Sequence, residues 1–158
     1  MNICRRTFLT GSLALLAPGL SRAHHGWSGF DTAKPLYLEG RIAVVNWANP
    51  HATLEVEPRP GLVLPADLAA RPLPAQQSAV DGAAILGKAR LPAKSAPRWT
   101  IELAPLSRLD AWQVKAPKVG DAVSLVGYAA PGEQGAPVIR VEFLFLDGKA
   151  YGLRSSPA

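Results

Sequence analysis

Short runs of alternating apolar and polar residues, each ended by proline, glycine or aspartate, most constrain what this chain can fold into. From Leu36 to Trp47, Leu38, Ile42 and Val44 fall on one face and Glu39, Arg41 and Val45 on the other. That period of two is the mark of a half-buried β-strand. Ala52 to Glu57 repeats it, with Leu54 and Val56 set against Thr53, Glu55 and Glu57. Arg98-Trp99-Thr100-Ile101-Glu102-Leu103, Ala122 to Tyr128 and Val138 to Leu146 follow as further strands. Asp147-Gly148 is a strong tight-turn signal, leading into a short return strand over Lys149–Leu153. Gly40 inside the first run marks a bulge or sharp bend. Leu106 to Trp112 predicts a single short helix. Five or six strands with one short helix predict an all-β fold, a small OB-like barrel, with a β-sandwich as its competitor.

Two segments do not fit that pattern. Residues 58–97 are rich in proline and alanine and lack aromatic residues, so they read as a long insertion between two strands. A short helix is expected within it over Ser78–Arg90, with Ser78 as N-cap, and the rest is expected to stray from the barrel. Residues 1–23 read as a cleavable export signal. Arg5-Arg6-Thr7-Phe8-Leu9 is close to the twin-arginine pattern, and the apolar stretch to Leu20 is too short to span a bilayer. Ser21-Arg22-Ala23 presents small residues for cleavage, so the mature chain is expected to begin at His24 and to form one domain over 24–158. The expected location is the periplasm or the exterior, with no membrane span after cleavage.

Composition then excludes several function classes. Arg5, Arg6 and Arg22 leave with the leader, so 17 basic residues become 14 against 12 acidic ones, a net of +2. No basic run argues for nucleic acid. The one cysteine, Cys4, and the one methionine, Met1, both lie in the leader. Any metal site in the mature protein must therefore use nitrogen and oxygen, which favours Cu(II), with Zn(II) or Ni(II) as alternatives. Ser28, Ser107 and Ser124 lack a nucleophile context, and neither a phosphate-binding glycine loop nor a cysteine–histidine zinc pattern occurs. A copper oxidase or oxygenase is a third reading, for which the sequence adds nothing beyond the possible N-terminal histidine chelate.

The histidines are the candidate ligands. After cleavage, the α-amine of His24 has a pKa near ~8. Amine and imidazole together form a chelate. His51, at the strand end Trp47-Ala48-Asn49-Pro50-His51, is the candidate for a further ring nitrogen, and His25 is the alternative. Asp31 or Glu55 would supply oxygen, though the spacing selects neither. The competing function is a non-enzymatic adaptor that binds a protein, peptide or glycan by stacking on Trp47 and Trp99. In either case a periplasmic protein partner is expected. Arg41, Arg98 and Arg140 lie on alternating strands, where isolated arginines are ordinarily solvated.

Several stretches together carry a resemblance: His24-His25-Gly26-Trp27, Leu36-Tyr37-Leu38-Glu39-Gly40, Trp47-Ala48-Asn49-Pro50-His51 and Trp99-Thr100-Ile101-Glu102. Gly120-Asp121-Ala122-Val123, Gly127-Tyr128 and Asp147-Gly148-Lys149 complete the set. The chain resembles a family of small exported bacterial proteins of unknown function. Its members begin with a His-His-Ser-Trp-like sequence and carry Asn-Pro-His after the first strand. Gly26 stands where serine is usual. The resemblance implies export and the motif positions, and no mechanism.

Overall fold

The computed structural model describes residues 26–158. Its strands are β1 (Leu36–Asn46), β2 (Thr53–Pro58), β3 (Trp99–Glu102), β4 (Ala122–Tyr128), β5 (Val138–Leu146) and β6 (Lys149–Gly152). They hydrogen-bond in the order β3-β2-β1-β4-β5-β6, antiparallel throughout, and a parallel pairing of β3 with β5 closes the first five into a mixed barrel. Closure removes the open edges that a flat sheet of five strands would leave. The fold is the small OB-like barrel expected.

Inward residues of the alternating runs fill the barrel: Leu36, Leu38, Ile42, Leu54, Val56, Trp99, Ile101, Val123, Leu125, Ile139, Val141 and Leu144 are all at most 2% exposed. Each such side chain contributes roughly 1.5–3 kcal/mol by leaving water. Asp147 and Gly148 both adopt positive φ and join β5 to β6 in a two-residue turn, with Leu146 paired to Lys149. Gly40 is needed for a different reason from the one expected. The bulge in β1 falls between Ile42 and Val44, whereas a β-carbon at position 40 would overlap the Glu57 carbonyl of β2.

Helix α1 (Gly82–Lys88) lies in the insertion and helix α2 (Leu106–Ala111) connects β3 to β4. The cap of α1 is Asp81, whose side chain accepts from Ala84 N at 3.0 Å, and not Ser78. The insertion does not stray. Its Leu68 and Leu86 pack with Tyr37, Val126 and Phe143 into a second apolar cluster on the outside of the barrel. Backbone bonds from Tyr37 N to Arg90 O (2.8 Å) and from Arg90 N to Pro35 O (3.1 Å) tie its far end to β1. The apolar residues scattered among its prolines and alanines are what hold it down.

Strand β5 carries the local irregularity that builds the site. Val141 and Leu144 both join the main core, while Glu142 and Phe143 between them turn away from it. Val126 of β4 pairs with Phe143 and Gly127 with Val141, so Glu142 is the extra residue of a bulge.

Candidate functional site

The Asn49-Pro50-His51 turn, with a cis Asn49–Pro50 peptide, links β1 to β2. Asn49 Oδ1 accepts from Leu106 N at the start of α2 at 3.2 Å. Backbone bonds from Ala52 N to Ala104 O (3.1 Å) and from Leu103 N to Ala52 O (2.9 Å) continue the β2–β3 register past the strand ends. This frame sets His51 beside the end of β3. His51 Nδ1 lies 3.0 Å from Glu102 Oε1, with both side chains largely buried. Arg140 of β5 completes the cluster: its Nη1 donates to Glu102 Oε1, and its Nη2 lies 3.3 Å from His51 Nε2. A guanidinium only donates, so the contact with Arg140 calls on the lone pair of Nε2.

The arm before β1 reaches the same guanidinium from the other side. Trp27, in a single 3₁₀ turn over Trp27–Gly29, has Arg140 Cζ at 5.2 Å from its ring centroid and Arg154 Cζ at 3.8 Å. Its ring meets Tyr128 edge-on, with centroids 6.1 Å apart and planes at 79°. Arg154 is held in turn by Glu142, which is fully buried, through contacts of 3.3 and 2.6 Å. Burial pushes the Glu142 carboxyl up from its ordinary value, and the bond to Arg154 opposes that shift without cancelling it. Burial, with the Glu142 charge adding to it, pushes the Tyr128 phenol up to about 12, so the hydroxyl stays neutral. Arg108 on α2 is shifted down by burial and by the nearby Arg140 charge. Its Nη1 donates to Leu153 O at 3.0 Å.

Of the residues singled out by sequence, His51 is thus in a built cluster, and His24 and His25 lie outside the described residues. Asp31 pairs with Lys34 at 3.4 Å and Glu55 with Arg98 at 3.3 Å. The carboxylate at His51 is neither of these but Glu102. The cross-strand pairing of Thr53 with Glu102 is the signal that finds it, since it puts Glu102 at the His51 end of β2. Among the described residues, no three histidine, cysteine, aspartate or glutamate side chains gather as a metal site. Among the described residues the carboxylate nearest the His51 ring is that of Glu102.

The tryptophans do not make a shared groove. Trp99 is 1% exposed and belongs to the main core. It lines one wall of a cleft of about 260 Å³ under the insertion, with Leu38, Leu62 and Leu91, and presents no free ring face. Trp47 is half-buried against the core beyond Asn46, at the Glu102 end of the sheet, whereas Trp99 is at the opposite end of β3. Trp112 donates from its indole nitrogen to Ser155 O at 2.8 Å.

Residues 13–61 match the model of a family of unknown function (DUF6152). The matched stretch runs through the arm, β1, the Asn-Pro-His turn and β2, so the similarity includes Trp27 and His51 and stops short of Glu102, Arg140 and Arg154. No curated protein and no solved structure shows significant similarity to the chain. Among the described residues no helix is long and apolar enough to cross a membrane.

Proposed function

We propose that this is a periplasmic metal-binding accessory protein that carries or buffers Cu(II). The mature N-terminal His24 supplies amine and ring nitrogens, and His51, with or without His25, supplies the rest. The observation that carries this reading is the position of Trp27. Its ring rests against the guanidinium that also touches His51 Nε2. His24 stands three positions before Trp27, a chain length that reaches at most about 11 Å. A span of that length permits the amine to approach the His51 ring.

Glu102 supports the same reading. Its Oε1, 3.0 Å from His51 Nδ1, is the kind of carboxylate neighbour that a metal-bound histidine usually has. A cation at Nε2 requires Arg140 Nη2 to withdraw, while Nη1 keeps its bond to Glu102. Arg140 is therefore a competitor for the site as well as part of its frame.

The test is titration of the mature exported protein with Cu(II), with intact mass and N-terminal sequencing on the same sample. One tight equivalent on a chain that starts at His24, abolished by blocking the amine and weakened tenfold or more by His51→Ala, supports the proposal. Binding no tighter than that of a free His-His peptide overturns it.

A further inference from the structure

We propose that Arg108 and Arg140 together bind a carboxylate, with the half-buried Arg108 guanidinium and the buried Arg140 Nε–H as its donors. The site is made of described residues alone and does not depend on the metal-binding reading.

The charges gathered behind Trp27 do not balance. Arg140 is paired with Glu102, and Arg154 with Glu142. Arg108, on α2, is a third arginine with no carboxylate partner among the described residues. Its Nη1 donates to Leu153 O at 3.0 Å, which uses one donor and neutralises no charge. Burial first, and then the nearby Arg140 charge, shifts the Arg108 guanidinium down. Two cations so placed repel each other, and an anion shared between them removes that repulsion.

A donor is left over as well as a charge. Arg140 is only 6% exposed. Its Nη1 donates to Glu102 Oε1, and its Nη2 lies 3.3 Å from His51 Nε2. Its Nε is buried and has no hydrogen-bond partner among the described residues. A buried donor without an acceptor is costly, the more so on a charged group, and native proteins leave few of them. A guanidinium has no lone pair, so whatever answers both arginines must be an acceptor. The unbalanced charge makes that acceptor an anion. One arginine in excess calls for a single negative charge, and a carboxylate offers one oxygen to each arginine. Doubly charged sulfate would turn the positive excess into a negative one. The Trp27 ring against Arg140 keeps water from that side, which strengthens a charge-assisted bond made there.

The test is titration of the metal-free mature protein with acetate at constant ionic strength, with the arginine Nε–H resonances followed by proton–nitrogen NMR. The Arg108 and Arg140 signals should move together along one saturating curve, and that of exposed Arg98 should stay still. Arg108→Gln should weaken acetate about tenfold or more, the loss of one charge-assisted bond, while the amide spectrum of the barrel is preserved. Arg140→Lys keeps a cation for Glu102 but has no Nε, and should weaken acetate by a similar factor. Arg98→Ala should match the parent. Acetyl-diglycine separates two sources of the carboxylate. Binding tighter than acetate points to a peptide C-terminus and equal binding to a small free acid, and either supports the site. Arg108 and Arg140 signals that do not move overturn the proposal, as do signals that respond to sulfate as they do to acetate. Parental acetate affinity in Arg108→Gln overturns the shared site. No metal is present in these titrations, so their failure leaves the Cu(II) reading to its own test.

Discussion

The outside of strands β4 and β5 is covered twice, by two unlike materials. Over Val126 and Phe143 the insertion lays down Leu68 and Leu86, an apolar cover that needs no particular geometry beyond filling space. Further along the same strands, Tyr128, Arg140 and Glu142 are covered by Trp27 and Arg154, whose contacts are ion pairs, edge-on rings and stacked guanidinium. The first cover contributes mainly stability, since burial is favourable in any orientation. The second contributes little net energy, because desolvating charges offsets much of what pairing them returns. What it does contribute is a fixed position for the arm.

That contrast can be broken deliberately. The largest effect is expected from Phe143→Ala, which empties the apolar cover and should cost about 3–5 kcal/mol in urea denaturation, unfolding the whole barrel more easily. Gly40→Ala forces a β-carbon into the β2 backbone and should cost about 1–3 kcal/mol by the same measurement. Trp27→Ala attacks the other cover. It should cost only about 1 kcal/mol of global stability, while the amides of the arm lose protection in hydrogen exchange.

A smaller effect separates the covers by pH. Glu142 is held above its ordinary value, so the folded state keeps that proton over a window that opens at the normal carboxylate range and extends upward. The stability it adds is full below that window and is lost as pH rises through the folded value. Glu142→Gln should flatten that part of the profile of urea midpoint against pH, and Phe143→Ala should leave its shape intact. Arg98→Ala, at an exposed arginine shared between Glu55 and Glu57, should leave the midpoint unchanged.

The barrel was readable because its strands are half-buried, and burial on one face writes itself into the sequence with a period of two. Ala122–Tyr128 and Val138–Leu146 fall where alternation puts them. The second cover was not readable for the same reason. Arg140 and Glu142 occupy outward positions, where a charged residue signals solvent, and only the slip from Val141 to Leu144 marks a bulge in that strand. The insertion was misleading because proline and alanine dominate its composition, while Leu68 and Leu86, which anchor it, recur at no regular interval. His51 was legible from its motif. Its neighbours Glu102 and Arg140 come from strands distant in sequence, and closure of β3 on β5, pairing Glu102 with Arg140, brings them together.

The seating of Trp27 on Arg154 also orders events in time. In chain order the arm precedes all six strands and Arg154 follows them. The ring of Trp27 has no Arg154 to rest on until β6 has been made. Docking of Trp27 on Arg154 therefore waits on the last strand, and a chain cut short before Arg154 would leave the ring only the more distant cation, Arg140.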